Sequence, residues 1–263
     1  MRNLILAIMT LCAVCACKSQ YEMLLNSNDV ESKYEAAFMY FNSGKYAKAA
    51  SLFESLSILT DGTERDDTVK YYWGLSNYKA KDYYTADANF ESFVESYPRS
   101  PFAQEARYLR LDCLFMQTLR YELDQTPTYK ALDAIYEFIR DYPDDANVAN
   151  CRSMSEDLEE RLDRKAYEAA KLYYTIEDYR AATYALKLVI KEDADNIYRE
   201  DIMYYVVLSS YKYALNSVSE KQRERYMDFA DEYFTFVTEF PESSYRRELD
   251  ALSNKVNKIL ERK

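Results

Sequence analysis

The sequence predicts an all-α protein, a solenoid of about five helical hairpins closed by a C-terminal capping helix. Three observations carry that prediction. From Glu31 onward, apolar residues recur at i, i+3, i+4 and i+7 with Glu and Lys between them, the period of an amphipathic helix. Only 3 Gly and 5 Pro occur among 263 residues, too few for the turns of a β-sandwich or barrel. One residue pattern also returns along the chain with a period of roughly 34 residues.

The N-terminus reads as an address. In residues 1–16, MRNLILAIMTLCAVCA, Arg2 is the only charge, and residues 4–16 are apolar apart from Thr10. That run is too short to span a bilayer and has the length of a signal-peptide core. It ends in Val14-Cys15-Ala16-Cys17, which is similar to a bacterial lipobox, where small residues precede a Cys that is lipidated and becomes the new N-terminus. Residues 1–16 are therefore expected to be a signal peptide, with Cys17 the lipidation site and 17–30, polar and without periodicity, a lipidated tether. Lys18 follows Cys17 where Asp would retain such a lipoprotein in the inner membrane, which points to the outer one.

The hairpins follow. Residues 34–56 give Tyr34, Ala37, Tyr40, then Gly44-Lys45-Tyr46, then Ala49, Phe53 and Leu56. Residues 71–98 give Tyr71, Gly74, Tyr78, then Lys81-Asp82-Tyr83, then Ala86, Phe90, Phe93 and Tyr97-Pro98. Residues 167–189 give Tyr167, Ala170, Tyr173, then Glu177-Asp178-Tyr179, then Ala182, Leu186 and Val189. In each, an aromatic follows a tight turn, a small residue comes three later and a large apolar one four after that. The small residue lets the second helix lie close to the first, the large one fills the seam, and the Tyr plugs the turn. Tyr46, Ala49, Phe53, Tyr83, Ala86, Phe90, Tyr179 and Ala182 are the predicted repeat-packing residues. This is the grammar of tetratricopeptide (TPR) repeats.

Two further units are degenerate. The third has its first helix near 102–118, a longer loop around 120–127, then Thr128-Tyr129-Lys130-Ala131, Ile135, Phe138 and Tyr142-Pro143. The fifth runs over 199–241 with an insertion near 216–221. Pro98, Pro143 and Pro241 close three units because proline cannot continue a helix. A last helix over about 245–261 caps the stack. Units 1–3 thus occupy 31–143, and units 4–5 with the cap occupy 144–263.

Chemistry is scarce. A net charge of −11 removes a bulk nucleic-acid footprint. No His occurs, which removes the commonest general base and zinc ligand, and with it Ser-His and Cys-His pairs. The three glycines, Gly44, Gly62 and Gly74, lie too far apart for a dinucleotide or phosphate loop. No catalytic residue, metal site or cofactor is expected. The carboxylates of Asp66-Asp67, Asp144-Asp145 and 156–160 are expected in loops or on solvated faces. Cys113 and Cys151 form either a disulfide or two buried thiols on separate helices. Aromatics are plentiful, with 28 Tyr but 1 Trp. Tyr34, Phe38 and Phe41 share one face of a first helix, as do Tyr71, Leu75 and Tyr78, and Tyr108 and Phe115 around Asp112. These are either inter-helix packing or an aromatic trough suited to an extended peptide.

With its lipobox and repeats, the chain resembles the BamD family, outer-membrane lipoproteins of the β-barrel assembly machine. The most specific stretch is 89–143, NFESFVESYPRSPFAQEARYLRLDCLF…RYELDQTPTYKALDAIYEFIRDYP, whose RYELDQTPT run resembles the long third-unit loop of that family. The segment 165–179, KAYEAAKLYYTIEDY, resembles its fourth unit, while Leu111 and Ala185 depart from residues common among relatives. The resemblance implies a non-enzymatic protein on the periplasmic face of the outer membrane. It implies N-terminal units that receive the C-terminal segments of unfolded outer-membrane proteins. It also implies C-terminal units that dock a BamA-like β-barrel subunit, beside other lipoproteins of the complex. Two other readings are a glycan-binding lipoprotein of the SusD kind, disfavoured by the single Trp73 and the shorter chain, and a generic periplasmic TPR scaffold.

Overall fold

The computed structural model describes residues 20–261. The signal peptide expected over 1–16 and the lipidation site Cys17 lie outside the described residues. Residues 20–25 are helical and labelled α1. They are followed by α2 (Val30–Asn42), α3 (Tyr46–Leu59), α4 (Asp66–Lys79), α5 (Tyr83–Ser96), α6 (Ala103–Met116) and α7 (Thr126–Asp141). Then come α8 (Val148–Thr175), α9 (Tyr179–Glu192), α10 (Arg199–Leu215), α11 (Ser219–Glu239) and α12 (Arg246–Leu260). No strand occurs among the described residues. The five expected hairpins are α2–α3, α4–α5, α6–α7, α8–α9 and α10–α11, and α12 stands where the cap was predicted. The described residues form two compact units, one of 20–119 with 124–155 and one of 120–123 with 156–261. The division falls within α8 rather than in the loop after Pro143.

Three hairpin turns are the same device. The residue closing the first helix sits in the left-handed region: Gly44 at φ 74°, Lys81 at 65° and Glu177 at 65°. Each such turn returns two backbone N–H groups to carbonyls of the preceding helix, as in Lys45 N to Tyr40 O, Asp82 N to Asn77 O and Asp178 N to Tyr173 O. The next residue starts the second helix. Asp82 and Asp178 cap it by accepting from the amides of Thr85 and Ala181 at 3.2 and 3.1 Å, which Lys45 cannot do.

In unit 1, Ala37, Ala49, Leu52, Phe53, Leu56 and Val69 make one core, and Tyr71, Ala86, Phe90, Phe93, Ala106, Leu109 and Cys113 another. Small residues mark the seams. A Cβ on Gly74 would stand 2.8 Å from Cε1 of Phe90, so only glycine lets α4 lie on that ring. In unit 2, Ala170 of α8 and Ala182 of α9 belong to one core with Tyr167, Leu186, Ile202 and Val206. A second core there joins Tyr211, Tyr226, Phe229 and Phe236 to Leu249 and Val256 of α12. All the predicted repeat-packing residues lie in or against these seams. Ala49, Phe53, Ala86, Phe90 and Ala182 are fully buried, and Tyr46, Tyr83 and Tyr179 are half-buried at the turns.

Several expectations are corrected. The 17–30 tether is not wholly irregular, because Tyr21, Leu24 and Leu25, spaced i, i+3 and i+4, pack α1 against the first core. The Tyr21 hydroxyl also donates to Lys48 O at 3.1 Å. The longer third-unit loop ends at Gln125, since α7 begins at Thr126 with Pro127 in its first turn. Asp66 is 1% exposed instead of solvated. It accepts from the Tyr97 hydroxyl, from Gly62 N at 3.1 Å and from Lys70 Nζ at 3.1 Å. Lys33 is also buried, its ammonium donating to Ser55 Oγ at 2.6 Å. Of the two readings of Cys113 and Cys151, the structure has the free, buried thiols.

Candidate functional site

The aromatic side of unit 1 is assembled from α2, α4 and α6. Tyr34 and Phe38, one turn apart, bring their rings to 4.9 Å. Phe38 meets Tyr72 at 4.7 Å and Phe41 meets Tyr72 at 5.2 Å. Tyr72, which the sequence reading passed over, is therefore the ring that joins the first two hairpins. Its neighbour Tyr71 was the more visible signal because it matched Tyr34 in repeat register. Arg65 stacks its guanidinium 4.8 Å over Tyr34 while pairing with Glu31 at 2.8 Å.

Tyr71 belongs to the core, not to an open trough. It is 2% exposed and stacks on Phe102 at 4.4 Å. It lies three residues before Gly74, on the side of α4 that faces Phe90. Burial, together with nearby Glu105, holds its hydroxyl proton far more tightly than usual. Leu75 and Tyr78 are half-buried against the same core, and so is Tyr108. Phe115 is half-buried as well.

Two hydroxyls of these rings are already engaged within the chain. Tyr78 donates to Asp112 Oδ2 at 2.5 Å, and Asn150 Nδ2 donates to the Tyr108 oxygen at 2.9 Å. Burial and the Asp112 carboxylate raise the Tyr78 pKa. The reachable part of the proposed trough is thus the half-exposed edges of Tyr34, Phe38, Phe41, Leu75 and Tyr78.

Unit 2 carries open grooves that the repeat pattern did not announce. Between α9 and α11, over α10, lies a cavity of about 360 Å³ lined by Arg180, Tyr184, Lys187, Tyr213, Arg225 and Glu232 among others. An adjoining cavity of about 330 Å³ has Ile190, Met203 and Val206 in its lining and shares Lys187 and Glu232. Lys187 pairs with Glu232 across the groove, and Arg199 pairs with Glu239. Tyr184 stands 72% exposed at the rim. A mixed-charge groove with an apolar floor and an aromatic rim has the make-up of a protein-binding surface. Among the described residues, no cluster of three or more His, Cys, Asp and Glu could hold a metal ion, and no helix is long and apolar enough to cross a membrane.

Helical hairpins in series, with small residues at the seams and left-handed turns between, define a TPR-type helical-repeat protein. The profile of the outer membrane lipoprotein family YfiO matches residues 26–225. The outer membrane protein assembly factor BamD of Caulobacter vibrioides is 23% identical over 210 residues, covering 80% of this chain and 69% of that protein. A putative outer membrane protein assembly factor BamD of Aquifex aeolicus is 30% identical over 211 residues, covering 76% of this chain and 65% of its own length. Among solved structures, the TPR2AB domain of yeast Sti1 in complex with pHSP90 matches with a TM-score of 0.41 and 14% identity over 87% of this chain and 98% of that one. The chain belongs to the BamD (YfiO) family of outer membrane lipoproteins.

Proposed function

We propose that the chain is a non-catalytic scaffold of outer-membrane β-barrel assembly. Its mature form is anchored through acyl chains on Cys17 and faces the periplasm. Unit 1 receives C-terminal segments of unfolded outer-membrane proteins, and unit 2 docks a BamA-like β-barrel subunit within a complex that includes other lipoproteins. The observation that carries this reading is the family match over 26–225, which runs through hairpins of both units. The grooves between α9 and α11 give the docking role a surface. Purification from detergent-solubilised membranes tests the whole: the chain should begin at an acylated Cys17 and bring a BamA-like barrel protein with it. Recovery without any barrel protein sinks the assembly reading.

The peptide role has its own test. A terminal barrel strand alternates apolar and polar residues, so one side of it can lie on the ring edges of unit 1. Tyr34→Ala combined with Leu75→Ala is expected to weaken binding of such a peptide by about ten-fold or more, the usual effect of removing interface anchors. Both residues are half-buried, so circular-dichroism melting run beside the titration must show a folded protein. Unchanged affinity in that folded variant assigns the rings to packing alone. Tyr71→Ala is not a groove test, because it opens a cavity in the core.

A further inference from the structure

We propose that the end of unit 2 formed by the α10–α11 turn and the last turn of α12 docks on an anionic phospholipid surface. Three stretches of chain meet there. Gln222 Nε2 donates to Leu215 O at 3.1 Å, closing the turn, and Arg223 NH1 donates to Leu260 O at 2.9 Å, tying α11 to the end of α12. Apolar side chains are left in solvent at this point: Leu215 is 41% exposed, Val218 65% and Ile259 37%.

Val218 is the most exposed of the three. It occupies the N-cap of α11, where Ser, Thr, Asp or Asn would satisfy the helix amides, and it makes no side-chain cap. Nor does it pack into a core.

The charge around it has the opposite sign to the molecule. This end holds Lys221, Arg223, Lys255 and Lys258 against Glu220, Glu224 and Glu261, with Lys221 3.3 Å from Glu224, in a chain of net charge −11. Lys221 and Lys258 are exposed. Exposed aliphatic side chains flanked by cations match the layering of a bilayer surface, with phosphates above and acyl chains just beneath. The chain belongs to a family of outer membrane lipoproteins, so a lipid surface is the partner within reach. Contact at this end would orient unit 2 against the bilayer independently of any acyl anchor.

The test labels Val218→Cys with an environment-sensitive fluorophore in the full chain, with Cys12, Cys15 and Cys17 replaced by serine so that no acyl anchor or other accessible thiol takes part, and mixes it with vesicles. The two remaining thiols, Cys113 and Cys151, are 0% exposed and leave residue 218 as the reactive site. A matched label at exposed Glu192→Cys on α9 is the control. Emission at 218 is expected to shift to the blue in equal parts phosphatidylcholine and phosphatidylglycerol, but not in phosphatidylcholine alone. The shift should vanish in 1 M salt, where the Debye length is about 3 Å. Lys221→Glu with Lys258→Glu should reduce the bound fraction by about ten-fold or more, with melting unchanged because both side chains are exposed. Equal emission in the two vesicle types overturns the proposal. A shift produced by soluble polyglutamate without vesicles, and not by the anionic vesicles, also overturns it and assigns the surface to an acidic protein.

Discussion

Replacing Lys70 by methionine is expected to destabilise unit 1 by about 3 kcal/mol at neutral pH, the scale of breaking a buried ion pair from one side. Asp66 is 1% exposed at the start of α4, and one of its oxygens, Oδ1, has no hydrogen-bond partner. Its other oxygen gathers the Tyr97 hydroxyl, Gly62 N and Lys70 Nζ. Lys70 reaches Asp61 as well, at 3.1 Å. Burial by itself would push the Asp66 carboxyl up. The Tyr97, Gly62 and Lys70 donors outweigh that and hold it below the usual carboxylate range.

A depressed folded pKa contributes stability that is fully present above the unfolded value, about 4. That contribution disappears as pH falls through the folded value. In Lys70→Met the burial effect goes less opposed, so the carboxyl binds its proton more readily and the variant's deficit shrinks in acid. Denaturant unfolding at pH 7 and pH 3 measures both arms. An equal deficit at the two pH values would mean that Lys70 acts through its alkyl stem and not its charge.

Phe90→Ala is expected to cost about 4 kcal/mol, the range for deleting a fully buried ring. The ring is 0% exposed and lies against Gly74, where an added Cβ would come within 2.8 Å. Gly74→Val is accordingly expected to cost about 2–3 kcal/mol by overpacking. The two changes compete for one volume, so they should not add. With the ring gone, valine at 74 fills part of the space, and the double variant should be more stable than the sum of the single losses predicts. Strict additivity in urea unfolding would mean that the α4–α5 seam relaxes at each site separately.

The backbone of this fold was legible in the sequence because its repeat rests on steric rules. Small residues at Ala37, Gly74 and Ala170, aromatics after the turns and prolines after three second helices each have one workable place in a helical hairpin. Even the degenerate units followed the pattern. The burial of Lys33 and Asp66 was not legible, since a charged residue between apolar ones reads as a solvated face, and only tertiary partners such as Ser55 and Tyr97 permit the exception. The placement of the aromatic rings was half legible. Spacing placed Tyr34, Phe38 and Tyr78 on shared faces, but it could not separate Tyr71 from Tyr72. A rotation of one residue about α4 decides which ring enters the core. The grooves of unit 2 depend on the separation of α9 and α11, and no residue spacing encodes that.

The two free thiols give unit 1 an internal clock. Burial raises the pKa of both, that of Cys151 to about 11, so neither is a ready nucleophile in the native state. Among the described residues no disulfide holds the fold. Any reagent that modifies Cys113 or Cys151 must wait for α6 or α8 to open, and the rate of modification counts those openings.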